Sequence, residues 1–177
     1  MSEYRERFIS DTEISRRCIF ISQDKQESRG ISLPKDFKLL AMSTASNDPD
    51  VKAVKRYCQA RGLSQDDLWF FKIGTSDENR WRRRVIVPSF DVHGQLNYFV
   101  ARAIDENRRP KYDNPDVDRV PIIFNEINVD WSKRVILCEG AFDAFKCGEN
   151  AIPMLGSDLN EQSALFNAIV AHATPVS

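Results

Sequence analysis

The chain has 177 residues, 42% of them hydrophobic and 29% charged, with a formal net charge of −1. That is the composition of a water-soluble chain able to bury the core of one or two domains, and it excludes a helical membrane protein, since no apolar run approaches the about 20 residues needed to span a bilayer. The charged start lacks the apolar stretch of a secretory signal, and Cys18, Cys58, Cys138 and Cys147 form no CxxC pair, so they read as reduced thiols of a cytoplasmic protein rather than as a zinc site.

Residues 1–30 are polar and weakly periodic and read as a poorly ordered arm, in which only Cys18-Ile19-Phe20-Ile21 suggests a short edge strand. Order is expected to begin at Ile31-Ser32-Leu33-Pro34. Asp48-Pro49-Asp50 combines a capping carboxylate, a proline suited to a first helical turn and an acid that complements the helix dipole. Val51, Val54 and Cys58 follow at helical spacing with Tyr57 beside them, and Gly62 is placed to end the helix. Ser64-Gln65-Asp66-Asp67 reads as a second cap leading into Leu68-Trp69-Phe70-Phe71. Together these predict a helical hairpin plugged by aromatic side chains.

From residue 84 the period changes. Residues 84–90 are mostly apolar, Asp91-Val92-His93-Gly94 is a turn, and residues 95–103 alternate Leu96, Tyr98 and Val100 against Asn97, Phe99 and Ala101. That pattern predicts a β-hairpin. A loop held by Pro110 and Pro115 comes next. Cations gather here (Arg80, Arg82, Arg83, Arg84, then Arg102, Arg108, Arg109 and Lys111), whereas acids gather at 48–50, 66–67 and 113–118. Such a stripe suits a polyanionic partner and, equally, a solvated face.

From residue 134 the order becomes β-α-β-α, with strands at 135–138 and 151–155 and helices at 141–148 and 160–173. Leu165, Ile169 and His172 fall at core spacing in the second helix. Alternation of this kind predicts a parallel sheet with crossover helices. A third strand is expected at Thr174-Pro175-Val176-Ser177, where the chain stops, so the sheet is expected to be truncated.

The strongest chemical signal is Glu139-Gly140 directly after a strand of that sheet, because ligands of open parallel sheets bind at the carboxyl ends of strands. A hard cation such as Mg²⁺ (or Mn²⁺) keeps several waters and needs one or two carboxylates. Glu139 supplies one, and Asp143, in the first turn of the next helix, is near enough to supply another. Spacing alone leaves a helix-capping pair equally open. His93 and His172 read as a turn residue and a helix-face residue, and there is no GxxxxGK phosphate loop.

Several segments, taken in order, resemble those of DNA primases of the bacterial class. Residues 134–144 (RVILCEGAFDA) look like the opening of a Toprim domain, and 150–157 (NAIPMLGS) like its second strand and turn. Upstream, 84–94 (RVIVPSFDVHG), 99–102 (FVAR) and above all 110–114 (PKYDN) are similar to the primase core motifs, with 57–63 (YCQARGL) and 71–74 (FKIG) similar to the tract before them. The resemblance covers about residues 50–160, and its spacing is similar to that of bacteriophage primases of the T4 group.

The resemblance implies an α+β primase-core subdomain over residues 31–130, then the first half of a Rossmann-like α/β Toprim domain over 131–177. It implies template-directed synthesis of short RNA primers from ribonucleoside triphosphates on single-stranded DNA, with a replicative helicase as partner, in the host cytoplasm if phage-encoded. In that scheme Glu139 is catalytic and holds metal with Asp143. Lys111 is catalytic as well, and lies with Arg84, Arg102, Tyr112 and Asn114 on the nucleotide and DNA side. The departures are a missing Asp-x-Asp pair after Glu139, a missing zinc-binding domain, and Ala101 where the family has glycine. One carboxylate cluster cannot hold two metals, so this chain by itself is expected to be weakly active or inactive. Another Toprim enzyme, a nuclease or topoisomerase, would explain Glu139-Gly140 but not residues 110–114. A non-catalytic DNA- or partner-binding module is the remaining alternative.

Overall fold

A computed structural model describes residues 30–43, 45–148, 150–156 and 159–177. The arm expected before Gly30, with its strand at 18–21, and Ser157 of the expected turn lie outside these residues. Helix α1 spans Pro49–Ala60 and is capped as read: the Asp48 carboxylate accepts from the backbone N–H groups of Asp50 and Val51, and Pro49 occupies the first turn. Its apolar stripe, Val51, Val54 and Cys58, is buried. Helix α2, Gln65–Phe70, opens with a complete capping box between Ser64 and Asp67. The expected aromatic plug is smaller than the sequence suggests. A six-residue helix turns only one or two positions inward, so Leu68 is buried while Trp69 and Phe70 are 52% and 49% exposed. Phe71 alone continues inward, against Phe145 with ring centroids 4.5 Å apart.

The helices pack on a four-stranded antiparallel sheet in the order β1 (Lys38–Leu39), β2 (Gly74–Thr75), β3 (Arg84–Phe90), β4 (Leu96–Ala103). At Gly74 a Cβ would lie 2.2 Å from the Phe37 ring and 2.6 Å from the Lys38 carbonyl oxygen, so only glycine lets β1 approach β2. The β3–β4 hairpin turns at Gly94, whose φ of +75° suits a residue without a Cβ. Alternation along β4 does not divide core from solvent, because both faces are covered. Tyr98 and Val100 join Val85, Val87, α1 and Leu68 on one side; Phe99 and Ala101 join Ile86 and Trp81 on the other.

The second sheet is parallel, as predicted: β5 (Ile136–Cys138), α3 (Ala141–Cys147), β6 (Ala151–Pro153), then α4 (Ala164–His172). Helix α4 starts later than the sequence suggests because Ser163 caps it, accepting from the Phe166 N–H. The expected third strand is present as a parallel bridge from Val176 to Val135. Val135 N–H donates to Pro175 O at 2.9 Å and Ser177 N–H donates to Val135 O at 3.1 Å. Because β5 already pairs with β6, the chain returns to the opposite edge of β5, and the strand order reverses there.

The boundary expected at 130/131 runs through continuous packing: residues 31–177 form one compact unit, and Ala141 and Phe142 of α3 belong to the same core cluster as α1 and the hairpin. A buried polar chain ties residues 123–125 to the hairpin. Ser89 Oγ donates to Asn97 Oδ1, Asn97 Nδ2 donates to Ile123 O, and Asn125 N–H donates back to Ser89 Oγ. Among the described residues no helix is long and apolar enough to cross a membrane.

Candidate functional site

Glu139 follows β5 at its carboxyl end, where the strand order reverses; in open α/β sheets that crevice is where ligands bind. Both Glu139 and Asp143 are exposed, and neither carboxylate has a hydrogen-bond or ion-pair partner among the described residues. A Cβ on Gly140 would stand 3.5 Å from Asp143 Oδ2, so the Asp143 carboxylate lies over the turn that carries Glu139. No third histidine, cysteine or acid joins them among the described residues. The pair supplies two exposed carboxylates, the number from which a hydrated Mg²⁺ ion is commonly held.

Beside this turn runs a ladder of alternating arginines and aromatic rings. The Arg61 guanidinium lies 5.1 Å from the Tyr57 ring centroid and 5.9 Å from that of Phe142. Arg102 lies 5.0 Å from Phe142 and 5.3 Å from Tyr112, and its Nη1 donates to the Tyr112 hydroxyl at 2.5 Å. The ladder joins the end of α1, the start of α3, strand β4 and the 110–114 loop. Arg102 is 9% exposed, its Nε has no acceptor, and no carboxylate pairs with it among the described residues. A desolvated guanidinium without a counter-charge is costly.

The other expected residues divide into two kinds. Lys111 is exposed, with no partner for its ammonium among the described residues, and Tyr112 is 39% exposed. Both stand where a ligand can reach them. Arg84 sits elsewhere than expected. It is 1% exposed, and its guanidinium donates to the carbonyls of Arg80 (3.1 Å) and Pro110 (3.0 Å), with longer bonds to Ala101 and Lys111. Burial holds its pKa below the usual arginine value, and the positive charge of Arg108 lowers it further. Arg84 shapes the loop that presents Lys111 and offers no free charge of its own. Asn114 is likewise committed in part, since its Oδ1 accepts from Ala101 N–H at 3.0 Å and staples the loop to β4.

Much of the basic stripe is internally neutralised. Arg80 forks onto Asp113, Arg82 and Arg83 share Asp50, and Arg83 also grips Asp105. Hydrogen bonds from these arginines hold all three carboxyls below the usual range. Arg108 and Arg109 donate to backbone carbonyls. Sequence reasoning passed over Arg61 and Phe142 as site residues. The tract at 57–63 contains Arg61, but no local spacing pairs it with a phenylalanine so distant in the chain.

The fold that holds these residues is that of bacterial primase catalytic cores. The chain is similar to the E. coli primase catalytic core (TM-score 0.58, 22% identity, 73% of this chain and 55% of that chain). It is similar at the same identity to a DnaG primase catalytic domain bound to single-stranded DNA (TM-score 0.57, 73% of this chain and 56% of that one). The RNA polymerase domain of Mycobacterium tuberculosis primase DnaG, in complex with double-stranded DNA, matches with a TM-score of 0.59 at 14% identity, over 78% of this chain and 58% of that one. The chain thus spans a little more than half the length of these structures. No protein-family model and no curated protein matches its sequence.

Proposed function

We propose that this chain is the nucleotide- and template-binding part of a DNA primase core, of the bacteriophage type, that makes short RNA primers on single-stranded DNA. The observation that carries the reading is Arg102: a buried guanidinium with no counter-charge among the described residues, locked between Tyr112 and Phe142, the latter three residues past Glu139. Its fixed fork suits the oxygens of a phosphate, and Arg61 on the other part of the ladder extends the same chemistry. Lys111 adds a mobile point charge, and the exposed Tyr112 ring offers a face on which a base can stack. Glu139 and Asp143 would hold Mg²⁺, which, when bound, stabilises the charge that builds on phosphate oxygens as a ribose 3′-hydroxyl attacks an α-phosphate. The chain's own side chains then bind the triphosphate, orient it against the template, and offset its negative charge. A replicative helicase as partner belongs to the same reading.

Calorimetric titration of the chain with ATP and Mg²⁺ tests it directly. Wild type should bind, and Arg102→Gln should weaken binding about ten- to a hundredfold, the equivalent of one charged hydrogen bond. Glu139→Gln should remove the dependence on Mg²⁺. Wild type that binds oligo-dT but no nucleotide would replace this reading with a DNA-binding module without chemistry. Primer synthesis on single-stranded DNA with labelled ribonucleotides measures catalysis separately.

A further inference from the structure

Helix α1 leaves the site at its C-terminal end, where Arg61 caps it, and its outer face carries cations that no acid among the described residues neutralises. Lys52, Lys55 and Arg56 fall three and four residues apart, so they share one face, with Lys52 and Arg56 exposed and Lys55 half-buried. Lys52 makes only a long contact to Asn47, Arg56 reaches only the Lys52 carbonyl, and Lys55 has no side-chain partner among the described residues. The acids of this helix start are turned away: Asp48 bonds Lys38, and Asp50 bonds Arg82 and Arg83. The contrast with the 80–84 stripe decides the matter, because there the charges are consumed by the fold and here they are not. Ala53 and Ala60 lie between this face and the Tyr57–Arg61 flank and keep the intervening ridge low.

We infer that the outer face of α1 carries the phosphodiester backbone of the single-stranded template on its way out of the site, an assignment that rests on the primase reading. From Arg61 back to Lys52 the helix rises about 13 Å, long enough for successive phosphates of an extended strand to meet successive side chains. The contacts are to phosphates alone and therefore indifferent to sequence.

Fluorescence anisotropy with labelled oligo-dT, over a series of salt concentrations, tests the assignment. Each phosphate contact on a single strand contributes about 0.7 to the slope of log K against log salt. The variant K52Q/K55Q/R56Q should flatten that slope by about 2, Lys111→Gln by about 0.7, and the charge-preserving K52R/K55R/R56K by nothing. An unchanged slope in the triple glutamine variant, with the Lys111→Gln effect intact, would overturn the α1 assignment and leave the primase reading standing. If the triple variant flattened the slope for a duplex of equal length but not for oligo-dT, the face would belong to duplex and the assignment would fall. Wild type without salt-dependent binding to either probe would sink the assignment and the primase reading together.

Discussion

Arg84 and Arg102 are both buried arginines, and replacing each with methionine should have opposite consequences. Arg84 has two good charge-assisted bonds, to Arg80 O and Pro110 O, and longer ones to Ala101 O and Lys111 O. Losing two such bonds and stranding the Pro110 carbonyl should cost about 3 kcal/mol or more. Among the described residues Arg102 has one hydrogen bond, to the Tyr112 hydroxyl, and stacks on two rings, but its Nε is orphaned and its charge unpaired. Methionine there gives up the bond and the stacking, each on the order of 1–3 kcal/mol, and escapes an unsatisfied donor and a desolvated charge of similar size. Arg102→Met should therefore stay within about 1 kcal/mol of wild type or exceed it. Urea unfolding followed by circular dichroism reads both: Arg84→Met should lower the midpoint by about 1–2 M, and Arg102→Met should barely move it. Repeating the series with ATP and Mg²⁺ at about 100 times the dissociation constant should stabilise wild type by about 2.7 kcal/mol, a gain that Arg102→Met should lose. If Arg102→Met destabilised as much as Arg84→Met and kept the ligand-dependent gain, Arg102 would be a structural residue and the reasoning from its missing counter-charge would be refuted.

Gly74→Ala should cost about 3 kcal/mol, because the new Cβ meets the Lys38 carbonyl at 2.6 Å and, unlike the Phe37 ring, that backbone cannot swing aside. A urea midpoint within error of wild type would contradict the close β1–β2 approach. The carboxyls of Asp50, Asp105 and Asp113 are held below their ordinary value of 3.8 by bonds from Arg82, Arg83 and Arg80. A depressed folded-state pKa contributes stability that is present above the unfolded value and lost as pH falls through the folded one. Stability should therefore hold to about pH 4 and decline below it, and Asp50→Asn should be less stable at neutral pH with a shallower acid decline. Equal acid slopes for variant and wild type would show that this pair adds nothing.

The starts of α1 and α2 were readable because capping is local. Asp48 and Ser64 bond to backbone groups two or three residues away, and no distant element has to arrive first. The hairpin and the parallel β-α-β step were readable for the same reason, as period and turn residues act over a few positions. The candidate carboxylates were legible too, since a strand followed by Glu139-Gly140 places them at a strand end whatever lies around them. Local signals said less about what covers each face. Phe99 and Ala101 are buried because residues 31–37 and Trp81 lie on their side of the sheet, whereas Trp69 and Phe70 are exposed because nothing described covers them.

Charge is where sequence and tertiary structure part most clearly. Composition and clustering showed that cations gather between residues 80 and 111, and a count cannot separate a free arginine from a spent one. That depends on which acids and carbonyls come within about 3 Å after folding, and the chain distances involved are long: Asp50 meets Arg82, and Pro110 meets Arg84. The sequence alone determined the two capped helices, the hairpin, the parallel β-α-β step and the turn that carries Glu139, because each is settled by neighbours along the chain. Only the tertiary structure decided that Arg84 is buried and satisfied while Arg102 is buried with an unpartnered Nε, because desolvation and partner geometry exist only once separate segments have closed around a side chain.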